Sequence, residues 1–248
     1  MSHRWARRIA CRLGSAEQRW PVLVALLAIG GLYASLPTKL LPFTDTRMRW
    51  IPMVIVLLTA APLMLSHRQH RHRLNTILAY VLLAILTCFM LASLALLVLG
   101  LKGQKETPSE LLKSAAGLWA TNVLVFACWY WRLDAGGPHA RAARLQHHEG
   151  AFLFPQMSMS PEQLEKTGQE GWKPGFIDYL FLAYNSSAAL SPTDAPVLSR
   201  WAKGLMMVQA SISLSIIVLL VGRAVNIIGS TPPPPPVVVA HSSSHPAP

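Results

Sequence analysis

Long runs of apolar residues leave this chain little choice of solvent. Pro21 to Leu36, Trp50 to Leu65, Thr76 to Leu101, Ala115 to Trp131 and Gly204 to Ile228 are each apolar enough to enter a bilayer. Inside hydrocarbon a backbone must satisfy its own hydrogen bonds, so each run is expected to be helical. The first two are short: about sixteen residues at ~1.5 Å each reach ~24 Å, less than a ~30 Å core, so flanking residues must add a turn. Pro21 and Pro52 sit near helix starts, where a missing N–H costs nothing, and Pro62 predicts a kink. Trp20, Trp50, Trp129 and Trp131 mark the membrane interfaces. The reading is an all-α polytopic membrane protein of about five transmembrane helices.

Charge supports this assignment. Only 13% of residues are charged against 52% apolar, and an average soluble domain carries roughly 25% charged residues. The net charge of +11 comes from 22 Lys and Arg clustered at the ends of apolar runs, where they act as anchors and orientation signals rather than as a nucleic-acid footprint. With the N-terminus cytoplasmic, about fifteen of these residues fall inside and about seven outside, which predicts an N-in, C-out protein of the plasma membrane. Residues 1–19 form a basic N-terminal segment, with Trp5, Ile9 and Leu13 beside Arg4, Arg8 and Arg12 at helical spacing. A short helix on an anionic surface and a disordered tail both fit it. The first apolar run reads as an uncleaved helix, for want of a convincing cleavage site. Cys11, Cys88 and Cys128 form no disulfide framework.

Phe176 to Leu190 differs from the five runs. It is interrupted by Asp178, Asn185, Ser186 and Ser187, and flanked by Pro174-Gly175 and Ser191-Pro192. Too short and too polar to span, it predicts a re-entrant half-helix. Ser199 is a candidate N-cap for the last helix. The polar stretch from Arg132 to Lys173, with its patch "AFLFPQM", is expected to be a loop with a docked hairpin or short helix. The organisation is therefore a basic segment at 1–19, a three-helix region at 20–114, a helix, loop, half-helix and helix module at 115–229, and a Pro/Ser-rich tail at 230–248 expected to be disordered.

The order of parts in that module, with "DYLFLAY" before and "LSRWAKGLMMVQ" after the sequence "ALSPTD", resembles the pore module of the two-transmembrane potassium channels. The region from Trp131 through "FLFPQM", "WKPGFIDYL" and "GRAVNI" is also similar to an uncharacterised family of bacterial integral membrane proteins. The channel resemblance implies an oligomer, since two helices per chain enclose a pore only with copies of themselves. It places the family's filter on Ala188 to Asp194, of which only Asp194 keeps the family's residue. A potassium filter stacks backbone carbonyls around the ion. Ser191 and Thr193 stand where glycines would permit that backbone, and Pro192 fixes φ near ~-65°. These residues do not form a potassium-selective filter.

Irregular backbone at membrane depth is tolerable where protein covers it or water reaches it. Ser187, Ser191, Pro192, Thr193 and Asp194 are the candidate pore-loop residues, hydroxyls and carbonyls facing a cation or water with Asp194 at the mouth. The same Ser-Pro-Thr-Asp is equally a good turn, with Asp194 bonding turn amides. Gln209 and Ser213, one helical turn apart in the last span, are candidates for lining a path or for packing helices together, and Asn122 reads as an interhelical hydrogen bonder. "HRQHRHR" and His147-His148-Glu149 read as headgroup anchors rather than metal ligands, because interleaved arginines repel cations. No catalytic motif, cofactor site or metal site is evident. The partners expected are the lipid bilayer, copies of the chain, and monovalent cations. The leading expectation is a channel-like membrane protein and ion-permeation scaffold without a potassium filter. The alternative is a non-conducting membrane structural or interaction protein that retains a degenerate pore-loop fold.

Overall fold

The computed structural model describes residues 20–37, 40–41, 50–51, 53–58, 72–100, 108–143, 149–188 and 195–229. The basic N-terminal segment, most of the second apolar run with Pro52 and Pro62, the histidine-rich run, His147-His148, Ser191 to Asp194 and the C-terminal tail lie outside them or contribute no described side chain. The described chain is helical: α1 (Trp20–Ser35), α2 (His72–Gly100), α3 (Pro108–Leu133), a 3₁₀ turn (Asp134–Gly136), α4 (Gly137–Ala143), a second 3₁₀ turn (Pro155–Ser158), α5 (Pro161–Lys166), α6 (Phe176–Ala188) and α7 (Arg200–Gly229). Among the described residues the only extended pairing is an isolated antiparallel bridge, Phe152 with Val197.

Among the described residues three helices are long and apolar enough to cross a membrane: Thr76–Leu99, Ser109–Gly136 and Arg200–Gly222. α1 is apolar but shorter, at 16 residues. α2, α3 and α7 each extend beyond the apolar runs in the sequence, because Pro108 can start α3 and Ser199 caps α7, whose Ala202 amide donates to Ser199 Oγ at 3.4 Å.

α3 is the central helix. Of its most apolar window 56% is buried, against 33% for α2 and 22% for α7, and it packs on α1, α2, α6 and α7. The outer helices keep one face for the core and leave Val24, Leu27, Val81, Leu91, Val208, Leu214 and Val218 exposed, a surface suited to lipid. α1 presents Val22, Ala25, Leu26, Ile29, Gly30 and Tyr33 inward at helical spacing. The Tyr33 hydroxyl donates to the Leu86 carbonyl of α2 at 3.0 Å. Gly30 lets the helical residues 53–58 approach: a Cβ there would lie 2.6 Å from Met53 Sδ and 3.3 Å from its Cα.

Two sequence expectations are corrected here. Trp129 and Trp131 do not simply mark an interface. Trp131 is buried beneath Arg141, whose Cζ lies 5.9 Å from its ring, and Trp129 stacks on Tyr80 and donates to Thr87 Oγ1 at 3.0 Å. Arg132 and Arg141 are not surface anchors either, being 6% and 1% exposed. The Arg132 guanidinium lies 5.7 Å over the Tyr80 ring, and that of Arg141 meets the Trp131 ring and the carbonyls at the end of α3.

The stretch from Arg132 to Lys173, expected to be a loop with a docked hairpin or short helix, carries the short helices α4 and α5 among its described residues. Ala135, Gly136 and Gly137 take positive φ in succession (50°, 81° and 87°), which turns the chain back under the end of α3. Phe152 and Phe154 then bury against Tyr130, Tyr179, Trp172 and Trp201 with ring centroids 5.2–6.3 Å apart. The Phe152 and Val197 bridge is held by Leu153 N to Pro196 O at 2.9 Å and Leu198 N to Ala151 O at 2.7 Å. The patch that looked too small to fold alone folds because the helix ends complete its core.

α6 descends from this end and the chain returns to it. Phe176 at its start packs on Trp131 at 6.3 Å, while Ser187 near its end accepts a 3.5 Å hydrogen bond from Trp119 at its carbonyl. Trp131 to Trp119 is ~18 Å along α3 at ~1.5 Å per residue. Val197 is back beside Phe152, which touches Tyr130. The start of α6 and residues 195–199 therefore share one end of α3, with the end of α6 lying well down the bundle.

Candidate functional site

The face of α6 that meets α3 and α7 carries a buried polar seam. α6 starts where the sequence punctuates it: Gly175 N donates to Asp178 Oδ2 at 2.7 Å, a first-turn carboxylate on an otherwise unmatched amide. From there Tyr179, Leu182, Ala183, Ser186 and Ser187 face inward at three- and four-residue spacing. Gln209 lies opposite them on α7 and is fully buried. Its Nε2 donates to Ala183 O and to Ser187 Oγ, both at 2.8 Å, and its Oε1 accepts from the Tyr130 hydroxyl of α3. One turn further on, Ser213 Oγ accepts from Asn122 Nδ2 at 2.8 Å, and the same amide reaches Gln209 O at 3.2 Å. One amide side chain thus ties three helices together where no water competes.

Almost every donor and acceptor in the seam is committed. Asn122 Oδ1 is the exception, buried with no hydrogen-bond partner. Ser211 and Ser215, offset by two from Gln209 and Ser213, are exposed and bond back to the carbonyls of Met207 and Ser211 at 2.8 Å. The sequence candidates thus divide. Ser187, Gln209 and Ser213 come together in the seam, whereas Ser191, Pro192, Thr193 and Asp194 lie outside the described residues.

A second cluster stands above the seam, where the chain leaves α3. Asp134 is fully buried; its Oδ2 accepts from the Tyr179 hydroxyl at 2.6 Å and its Oδ1 from the Ala151 amide at 2.5 Å. Arg141 donates through one guanidinium nitrogen to Trp131 O at 2.8 Å and Asp134 O at 2.9 Å, and lies 5.0 Å over the Tyr179 ring. A cation on the last carbonyls of a helix meets the negative end of its dipole. Asp134, Arg141, Tyr130 and Tyr179 escaped the sequence reading. The local signal was Gly136-Gly137 following a helix, the mark of a left-handed stop that brings later residues back onto its end.

Between the loop and α6 lies a partly open cavity of about 250 Å³, lined by Phe154, Pro155, Gln156, Asp178, Phe181, Leu182 and Ala195. Burial raises the Asp178 carboxyl above its ordinary range, while hydrogen bonds from the Gly175 amide and its own amide pull the other way. Among the described residues no group of three His, Cys, Asp or Glu is placed to hold a metal ion.

No family model, curated protein or solved structure matched this chain.

Proposed function

We propose that this chain is a non-conducting membrane structural or interaction protein whose half-helix serves to lock three helices together. Gln209 carries the reading: both its amide hydrogens and its carbonyl are used within one chain, so the side chain best placed to line a path has no group left for an ion or its water. The accompanying topology is five spans in the plasma membrane with a cytoplasmic N-terminus, α6 entering and leaving the bilayer on one side.

A second reading, permeation through a homo-oligomer without a potassium filter, draws support from the return of the chain beside Phe152 after its descent along α3.

Ion flux through purified protein in liposomes separates the two. The expected result is no flux of monovalent or divalent ions above that of protein-free vesicles. Flux that disappears in Asp194→Ala or Thr193→Val would replace the first reading with the second.

A further inference from the structure

We propose that the cavity between the loop and α6 is a binding site for a primary ammonium group on a short apolar stem. Its inner wall is one face of α6, because Asp178, Phe181 and Leu182 follow at three- and four-residue spacing. The opposite wall is Phe154, Pro155 and Gln156, held in place by the aromatic cluster around Phe152.

The chemistry of that lining selects its occupant. Asp178 is the only charged residue among the lining side chains. Its Oδ2 takes the Gly175 amide, and no Lys, Arg or His among the described residues pairs with the carboxylate. A partly desolvated carboxylate without a cation gains more from an ammonium than one already paired. Phe154 and Phe181 are among the lining residues, and aromatic rings attract cations; Gln156 beside them is neutral and polar. Leu182, Pro155 and Ala195 supply apolar contact for a stem. At about 250 Å³ the space is below the ~300–1,000 Å³ of drug-sized sites, which limits the ligand to a few carbons beyond its nitrogen. An anion would meet Asp178, and a purely apolar ligand would leave it unpaired. This site does not depend on the scaffold reading.

An aminoethyl headgroup of a lipid and a free alkylamine share this chemistry, and the test distinguishes them. The full chain is placed in phosphatidylglycerol nanodiscs and titrated with n-butylammonium by calorimetry. Saturable binding is expected, weakened at least tenfold by Asp178→Asn and severalfold by Phe181→Ala, and unchanged by Glu162→Gln on exposed α5. Asparagine keeps an oxygen for the Gly175 amide, and circular dichroism checks that the helices persist. If phosphatidylethanolamine added to the discs competes with n-butylammonium, the headgroup is the source; if it does not, the ligand is a free amine. Absence of saturable binding from either source overturns the proposal. So does Asp178→Asn binding as wild type or, where that variant does not fold, Phe181→Ala doing so.

Discussion

Tyr179 on α6 donates its hydroxyl to Asp134 Oδ2 at 2.6 Å, joining the start of that helix to the end of α3 across 45 positions of sequence. The same ring lies 5.0 Å beneath the Arg141 guanidinium and touches Phe152 and Phe154. Tyr179 is therefore where the loop, α3 and α6 meet. Removing its hydroxyl takes a hydrogen bond from a buried acid, so Tyr179→Phe should cost about 1.5–3 kcal/mol. Asp134→Asn should cost a similar amount, and the double variant less than the sum, because the residues share one contact. Thermal unfolding of the four proteins in one detergent measures the coupling. Strict additivity would show that the bond contributes nothing.

Gly137 has φ 87° and ψ 178°, a region open essentially to glycine, and a Cβ there would lie 2.9 Å from Arg132 O. Gly137→Ala should destabilise by about 1–3 kcal/mol. Gly168, also at positive φ (69°) but with nothing near its missing Cβ, provides the comparison. Gly168→Ala should cost about 1–2 kcal/mol, from backbone strain alone. Melting temperatures that fall less for Gly137→Ala than for Gly168→Ala would contradict the close approach.

Replacing Gln209 by leucine keeps the volume and strands the Tyr130 hydroxyl and Ser187 Oγ in the interior. A loss of about 1–3 kcal/mol is expected, read as earlier thermal unfolding and faster proteolysis of the membrane region. Ser211→Ala, on the exposed face of the same helix, should change stability by less than ~0.5 kcal/mol. Equal effects would mean that the seam does not hold the helices.

The course of α6 predicts sidedness. In a chain with Cys11, Cys88 and Cys128 replaced by alanine, single cysteines at Glu165 and Pro196 should react with an impermeant maleimide from one side of sealed vesicles. A cysteine at Ser109, at the far end of α3, should react only from the other side. Glu165 and Pro196 labelled from opposite sides would make α6 a full span and end the re-entrant interpretation.

Asp178 yields a pH dependence whose sign follows from burial. Its folded pKa is raised, so the folded state holds that proton more tightly than the unfolded chain. The associated stability is fully present below the ordinary aspartate value, ~3.9, and is lost as pH rises through the higher folded value. Asp178→Asn removes this titration. Melting temperatures of wild type and Asp178→Asn should converge in acid, with wild type losing ground to the variant as pH rises toward neutrality. A gap that stays constant with pH would show that Asp178 titrates as an ordinary exposed carboxylate.

How far the sequence reached depended on the range of the interaction. Helices α1, α2, α3 and α7 follow from apolar length, α6 from Pro174-Gly175 and an apolar run too short to span, and the α7 start from Ser199; each is a local property of neighbouring residues. The polar residues of the spans were visible as Asn122, Gln209 and Ser213, yet their pairing was not, since the partners lie 22 to 91 positions apart. Arg141 and Asp134 looked like ordinary loop charges because burial is decided by what covers a residue, and Tyr179, Trp131 and Phe152 come from three separate stretches. By itself the sequence determined an apolar helical chain with a short, interrupted segment before its last helix, because solvent preference and helix punctuation act over a few residues. Tertiary structure alone decided that residues 195–199 lie beside the start of that segment, and that Gln209 is spent on its neighbours, because hydrogen bonds in a low-dielectric interior form only after the helices have met.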